Sequence, residues 1–228
     1  MEEKRQLLLH SCCGPCSTAV IERLISDYEV TVFFCNPNID DPEEYQRRKE
    51  TQLRFIEAYK RSDDCRKSEH AIHFMEGDYQ PQAFHQAVAG CEEQPEGGER
   101  CIRCFYLRLS QTANAAKAMG IPRFATTLTV SPHKSYPQIS QIGQTLARER
   151  GLEFLDMDFK KKAGYQRSVE LSREYGLYRQ SFCGCSYGRA VQERQMRQRQ
   201  QAQQKKPQEQ QTLQAVQLPR QKAQTEMP

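Results

Sequence analysis

The chain has 228 residues, 37% of them hydrophobic, with ten cysteines and a formal charge of +4. That length supports one domain with a sizeable core and excludes a miniature scaffold that needs disulfide staples. No stretch approaches the ~20 apolar residues of a membrane span, and the charged Met1 to Gln6 followed by a brief Leu7-Leu8-Leu9 run does not resemble a secretory leader. The expected setting is cytoplasmic, away from membranes, where clustered thiols more often bind metal or do redox chemistry than form structural bridges.

In chain order, Gln6 to His10 is a short apolar run closed by a Cys/Gly/Pro turn and reads as a buried strand. Thr18 to Ile25 is expected as a helix with Ser17 or Thr18 as its cap, and Glu29 to Cys35 as a β-branched and aromatic strand broken by Asn36-Pro37-Asn38. Pro42 to Lys60 reads as a charged amphipathic helix and Ala71 to Met75 as a third strand. Cys91 to Arg100, with Gly97-Gly98, reads as an exposed loop. Cys101 to Met119 carries a helical stripe of Ile102, Phe105, Tyr106, Leu109, Ala113 and Ala116, stopped by Gly120 and Pro122. A Thr-rich strand over Phe124 to Val130, a helix over Tyr136 to Arg150, a strand over Leu152 to Phe159 and a helix over Gly164 to Tyr175 complete the pattern.

This β-α alternation predicts an α/β fold, a parallel sheet with helices on both faces, whose ligands bind beyond the carboxyl ends of the strands. The predicted domain covers residues 1–190. From Val191 to Pro228 the chain holds 14 Gln, seven Lys or Arg and three Glu in 38 residues, so the whole +4 belongs to this stretch. It reads as a Gln-rich low-complexity tail over 191–228, mostly disordered with a frayed helix over Val191 to Gln204 allowed, because it has too little apolar surface to offset its ordering entropy. The first 190 residues are neutral, so only local patches such as Lys160-Lys161-Lys162 with Arg167 argue for nucleic acid.

Seven of the ten cysteines fall into three groups: Cys12, Cys13 and Cys16; Cys101 and Cys104; Cys183 and Cys185. Thiols that share an ion or exchange electrons must be neighbours, whereas packing thiols can sit anywhere. Cys101 and Cys104 have i, i+3 spacing at a predicted helix start, which puts both sulfurs on one face and favours thiolate through the helix dipole. With a second adjacent pair, four thiolates suit zinc or an iron–sulfur cluster, and the residues alone leave both open. Cys16 is open as a fifth ligand or as a loop residue. Cys183-Gly184-Cys185 fits a small strained disulfide that opens and closes in turnover better than a ligand pair, since glycine frees the backbone and strained disulfides are labile. His10 and His133 flank the expected crevice as possible proton carriers or ligands. Cys35, Cys65 and Cys91 read as ordinary thiols.

HSCCGPCS, FFCNPNIDDPEEYQRR, ERCIRCFYLRL, TTLTVSPHKS, the KKKAGYQRS run and LYRQSFCGCSYG occur in that order. Together, over roughly Leu7 to Arg189, they resemble epoxyqueuosine reductases of the QueH type. The resemblance implies a HUP or PP-loop-like fold and reduction of the epoxide of epoxyqueuosine at the wobble position of tRNA, the last step of queuosine synthesis. It implies a [4Fe–4S] cluster on Cys12, Cys13, Cys101 and Cys104 and a redox-active disulfide between Cys183 and Cys185. An additional metal ion beside the cluster, with Cys16 as candidate ligand, is also implied. The partners would be the anticodon loop of a queuosine-type tRNA and an electron donor. Opening the epoxide to an alkene takes two electrons and two protons; His133, in a loop with Lys134, is the candidate acid. Lys160, Lys161, Lys162, Arg167, Arg103 and Arg108 are candidates for the tRNA backbone. The nearest rival, a PP-loop tRNA-thiolating enzyme, needs a Ser-Gly-Gly-x-Asp-Ser phosphate loop where this chain has Ser11-Cys12-Cys13-Gly14-Pro15-Cys16. A zinc-stabilised binding module and a metal-free thiol oxidoreductase are the other readings.

Overall fold

Leu7, Leu8 and Leu9 are successive residues of one strand, so their side chains point alternately to opposite faces, and all three are inaccessible to solvent. A strand buried on both faces belongs in the middle of a covered sheet. In the computed structural model, which describes residues 5–68, 70–194 and 196–198, that strand is β1 (Gln6–Ser11). It pairs in parallel with β2 (Glu29–Phe34) on one side and β4 (Arg123–Thr126) on the other. β3 (Ile72–Glu76) lies beyond β2 and β5 (Glu153–Phe154) beyond β4, so the order is β3-β2-β1-β4-β5, all parallel.

One face carries Leu7, Leu9, Val30 and Val32 under α1 (Gly14–Leu24) and α2 (Pro42–Tyr59), with Val20, Ile21, Phe55 and Tyr59 filling the layer; α7 (Gly164–Glu174) packs against α1. The opposite face carries Leu8 and Phe124 under α5 (Glu99–Ala118) and α6 (Tyr136–Arg150), through Leu109, Ala113, Ile139 and Leu146. The predicted α/β architecture is therefore the observed one. The chain leaves β1 toward β2 and later returns to β4 on the other side, so the carboxyl ends of β1 and β4 form the switch point where such sheets bind ligands.

Several boundaries differ from the sequence reading. The first helix begins at Gly14, not Thr18, because Pro15 sits in its first turn, where a missing N–H costs nothing. Ser17 and Thr18 do not cap it; their hydroxyls donate to the carbonyls of Gly14 and Pro15. Strand β4 ends at Thr126, whose hydroxyl accepts the Leu128 N–H and turns Thr127–Val130 into a 3-10 helix, so Thr127 and Thr129, expected in the strand, sit outside the sheet. Strand β5 is two residues long: past it, Asp156 gathers the hydroxyls of Tyr136 and Ser140, and Thr129 takes the Phe159 N–H. Two short helices, α3 (Asp63–Lys67) and α4 (Pro81–Ala87), were not anticipated.

The chain divides into a unit ending at Ser186 and a second one starting at Tyr187. Within the second, residues 187–194 and 196–198 are helical; most of the proposed 191–228 tail lies outside the described residues.

Candidate functional site

The early start of α1 decides the geometry. Cys13 becomes its N-cap and Cys16 falls in its first turn, directly after β1 delivers Cys12. The sulfurs of Cys12, Cys13 and Cys16 all lie within 4.8 Å of one another, with Cys12 and Cys13 3.8 Å apart. A helix N-terminus supplies free N–H groups and a positive dipole end, so the place favours anionic sulfur. Thiol hydrogen bonds from Cys13 and Cys16 hold the Cys12 thiol well below its ordinary range, so that it is the thiolate of the three. Burial pushes Cys13 up to about 12, and its two sulfur neighbours push Cys16 up as well. Three mutually accessible sulfurs, one already anionic, can hold a thiophilic metal.

A cleft of about 500 Å³, including its open mouth, is lined by Cys101, Cys104, Cys183, Cys185, His133 and Lys134, among others, and its Lys134 also feels the sulfurs of Cys12 and Cys16. Cys101 also packs on the apolar cluster that contains Cys12 and Cys13. Thus the sulfurs of all three sequence groups sit around one region, while Cys101 and Cys104 stand outside the tight trio. Burial raises both of these thiols, Cys104 to about 11. Cys183 behaves oppositely: the neighbouring Cys185 thiol, its sulfur 3.3 Å away, pulls it down to about 6.

Two cations answer these anions. Arg108 is 2% exposed and donates to Asn36 Oδ1 at 2.7 Å. Burial opposes its charge, but Cys104, Cys12 and Cys183 together outweigh burial and raise it. Lys134 behaves the same way: burial opposes its charge, and the sulfurs of Cys12, Cys16 and Cys183 outweigh it. Two stabilised thiolates facing two held cations keep the region near neutrality, which lowers the cost of burying them.

His133 is exposed on the cleft rim beside Lys134. His10 is not a proton carrier in this arrangement: burial lowers it to about 3, its Nε2–H donates to the Cys35 carbonyl, and its Nδ1 accepts from the Thr126 hydroxyl. It pins β1 to its two neighbouring strands. The basic candidates separate. Lys161 and Lys162 are exposed, whereas Lys160 pairs with Asp158 and Arg167 is held by Glu22 at 2.7 Å. Arg103 pairs with Glu99, and Arg108 is interior, so the latter faces the thiols and not a tRNA backbone. The sequence reading left Cys16 open and gave no role to Arg48, Glu44 or Asn38. Pro15 was the available signal for Cys16, since proline at that place starts a helix early.

Fold and site together define a cysteine-rich α/β protein whose switch point holds a metal-capable thiol trio near the closely spaced Cys183 and Cys185. The family model described as epoxyqueuosine reductase QueH matches residues 7–191. A protein of that name from Streptococcus pyogenes serotype M1 is 41% identical over 186 residues, covering 82% of this chain and 71% of its own. Namesakes from Staphylococcus epidermidis and Staphylococcus aureus are each 36% identical, over 83% and 82% of this chain and 79% and 77% of theirs. The chain belongs to the QueH family and is an oxidoreductase.

Proposed function

We propose that this protein reduces epoxyqueuosine to queuosine at the wobble position of tRNA, in the last step of queuosine synthesis. The observation that carries this reading is that Cys101, Cys104, Cys183 and Cys185 line one cleft whose Arg108 and Lys134 also face the Cys12/Cys13/Cys16 trio at the sheet's switch point, in a chain of the QueH family. The cleft opens to solvent and brings thiols, His133 and Lys134 together at its wall, and a base that reacts in such a site is taken out of its stack.

The thiol set fits an iron–sulfur cluster, because buried sulfurs with balancing cations are what such a group needs. In this reading Cys12, Cys13, Cys101 and Cys104 hold a [4Fe–4S] cluster, and Cys16, within the trio, serves an additional metal ion. The cluster supplies one-electron transfer when bound. The other residues follow from balance. Conversion of an epoxide to an alkene breaks both C–O bonds and releases the oxygen as water, consuming two electrons and two protons. Cys183 and Cys185 supply that count in becoming a disulfide, and an external electron donor restores them. Cys183, lowered to about 6, is a thiolate at neutral pH and so is poised to react. Lys134 and Arg108 balance negative charge on the departing oxygen, and His133 at the rim delivers a proton to it. Lys160, Lys161, Lys162 and Arg167 lie along the tRNA path, with the exposed Lys161 and Lys162 closest to its phosphates.

The test is the Cys183→Ser/Cys185→Ser double variant, purified without oxygen and assayed on epoxyqueuosine-containing tRNA by nucleoside mass spectrometry. Multiple turnover is expected to stop while iron and sulfide content stays at the wild-type level. Undiminished turnover removes the dithiol from the reaction; wild-type protein free of iron removes the cluster.

A further inference from the structure

Beneath the Cys183-Gly184-Cys185 turn lies a side chain whose burial the reaction scheme leaves unexplained. Arg48, in the middle of α2, is 1% exposed. Its Nε donates to Glu44 Oε1 at 2.7 Å, one helical turn earlier, and Tyr178 donates its hydroxyl to Glu44 Oε2 at 3.0 Å. The rest of the guanidinium is spent on the turn. Nη1 donates to the Cys183 carbonyl at 3.1 Å and Nη2 to the Phe182 carbonyl at 3.2 Å, and the group stacks 5.1 Å from the Phe182 ring. Asn38, in the loop between β2 and α2, adds a second donor to the Cys183 carbonyl at 3.3 Å. Asp40 in the same loop takes the Ser186 N–H at 3.0 Å.

Gly184 completes the fit. Its φ is +116°, a conformation that side chains disfavour. A Cβ there would lie 2.8 Å from Ile39 Cγ1 and 3.1 Å from Arg48 Nη1. The glycine therefore lets the turn settle onto the guanidinium itself. A buried Arg–Glu pair is often no more than helix packing. Here two N–H directions end on consecutive carbonyls of another segment, and the residue between the two cysteines has no side chain for that reason.

We propose that Arg48, fixed by Glu44, is the positioning residue of the Cys183/Cys185 dithiol: it grips the backbone of the turn and keeps the two sulfurs facing each other at 3.3 Å. The inference rests on the reading of Cys183 and Cys185 as a redox pair. Disulfide closure across one intervening residue needs a strained ring. A turn already held with its sulfurs in near contact gives up less freedom on closing, so the clamp raises the effective concentration of one thiol at the other. It thereby makes the reduced pair a stronger reductant. In the couple, two thiols become one disulfide, releasing two protons and two electrons to the acceptor.

The experiment equilibrates oxygen-free full-length protein in graded mixtures of reduced and oxidised dithiothreitol, which accepts or supplies those electrons and protons. The peptide carrying both cysteines is then trapped by alkylation and its disulfide fraction read by mass spectrometry. Arg48→Lys keeps a cation beside Glu44 but cannot span two carbonyls. Gly184→Ala leaves Arg48 in place and pushes the turn away from it. Both variants are expected to lower the disulfide-formation constant about tenfold, a shift of ~30 mV toward easier reduction, with unchanged iron content. If one variant fails to fold, the other decides. A wild-type pair that titrates while the folded variants titrate at the same potential overturns the clamp. A wild-type pair that never closes in any mixture removes the redox reading itself, and the clamp with it.

Discussion

At the scale of single residues, the chemistry is set by which thiols are anionic. Cys12 and Cys183 are the two that their neighbours pull down, each through hydrogen bonds from adjacent cysteines. Cys183 at about 6 is mostly thiolate at neutral pH and loses its charge as pH falls through that value. Alkylation of reduced protein by iodoacetamide, followed at Cys183 by peptide mass spectrometry, is expected to reach half its maximal rate near pH 6. Cys185→Ala removes the largest cause of the lowering and should move that midpoint up toward ordinary thiols; an unmoved midpoint means that another group stabilises the anion. The cysteine groups themselves were legible from spacing. The charge on each sulfur was not, because it depends on how the folded chain sets the thiols against one another and on how deeply each is buried, with Arg108 and Lys134 adding smaller contributions from distant segments.

At the scale of elements, α1 is the one on which the site turns. Its start at Gly14 places Cys13 and Cys16 at the dipole end, and that start requires close approach to α2: a Cβ on Gly14 would lie 2.8 Å from the Thr51 carbonyl oxygen and 2.9 Å from Thr51 Cγ2. Gly14→Ala is therefore expected to destabilise the protein by about 1–3 kcal/mol through overpacking, read as a lowered denaturation midpoint. It should also cut metal content, since the helix start and two of the three sulfurs move together. A stable, fully loaded variant would show that α1 tolerates displacement. Strand and helix types were legible from periodicity, but the start of α1 and the short β4 were not. A proline in a first turn and a threonine that caps its own chain outweigh the local propensities around them.

At the scale of the molecule, the sheet collects parts that lie up to 173 residues apart, Cys12 to Cys185, around one switch point. The substrate must reach that region from outside, and the basic loop before α7 is the surface proposed for its backbone. Arg23 Nη2 donates to the carbonyls of Lys161 and Lys162, which fixes the loop while both lysine side chains remain exposed. Lys161→Gln/Lys162→Gln should weaken tRNA binding several-fold and reduce the slope of log affinity against log salt by about one to two. An unchanged slope in a filter-binding titration would put the tRNA surface elsewhere.

The sequence by itself determined the parallel α/β architecture, the three thiol groups and the family, because strand and helix periods and tight motif spacings are local properties of the chain. Tertiary structure alone decided that Cys16 joins Cys12 and Cys13, that Arg108 turns inward to the sulfurs, and that Arg48 lies under the dithiol turn. The first depends on where α1 begins, and the other two on contacts between distant segments, where burial can reverse what a charged residue does without leaving any mark on its neighbours in sequence.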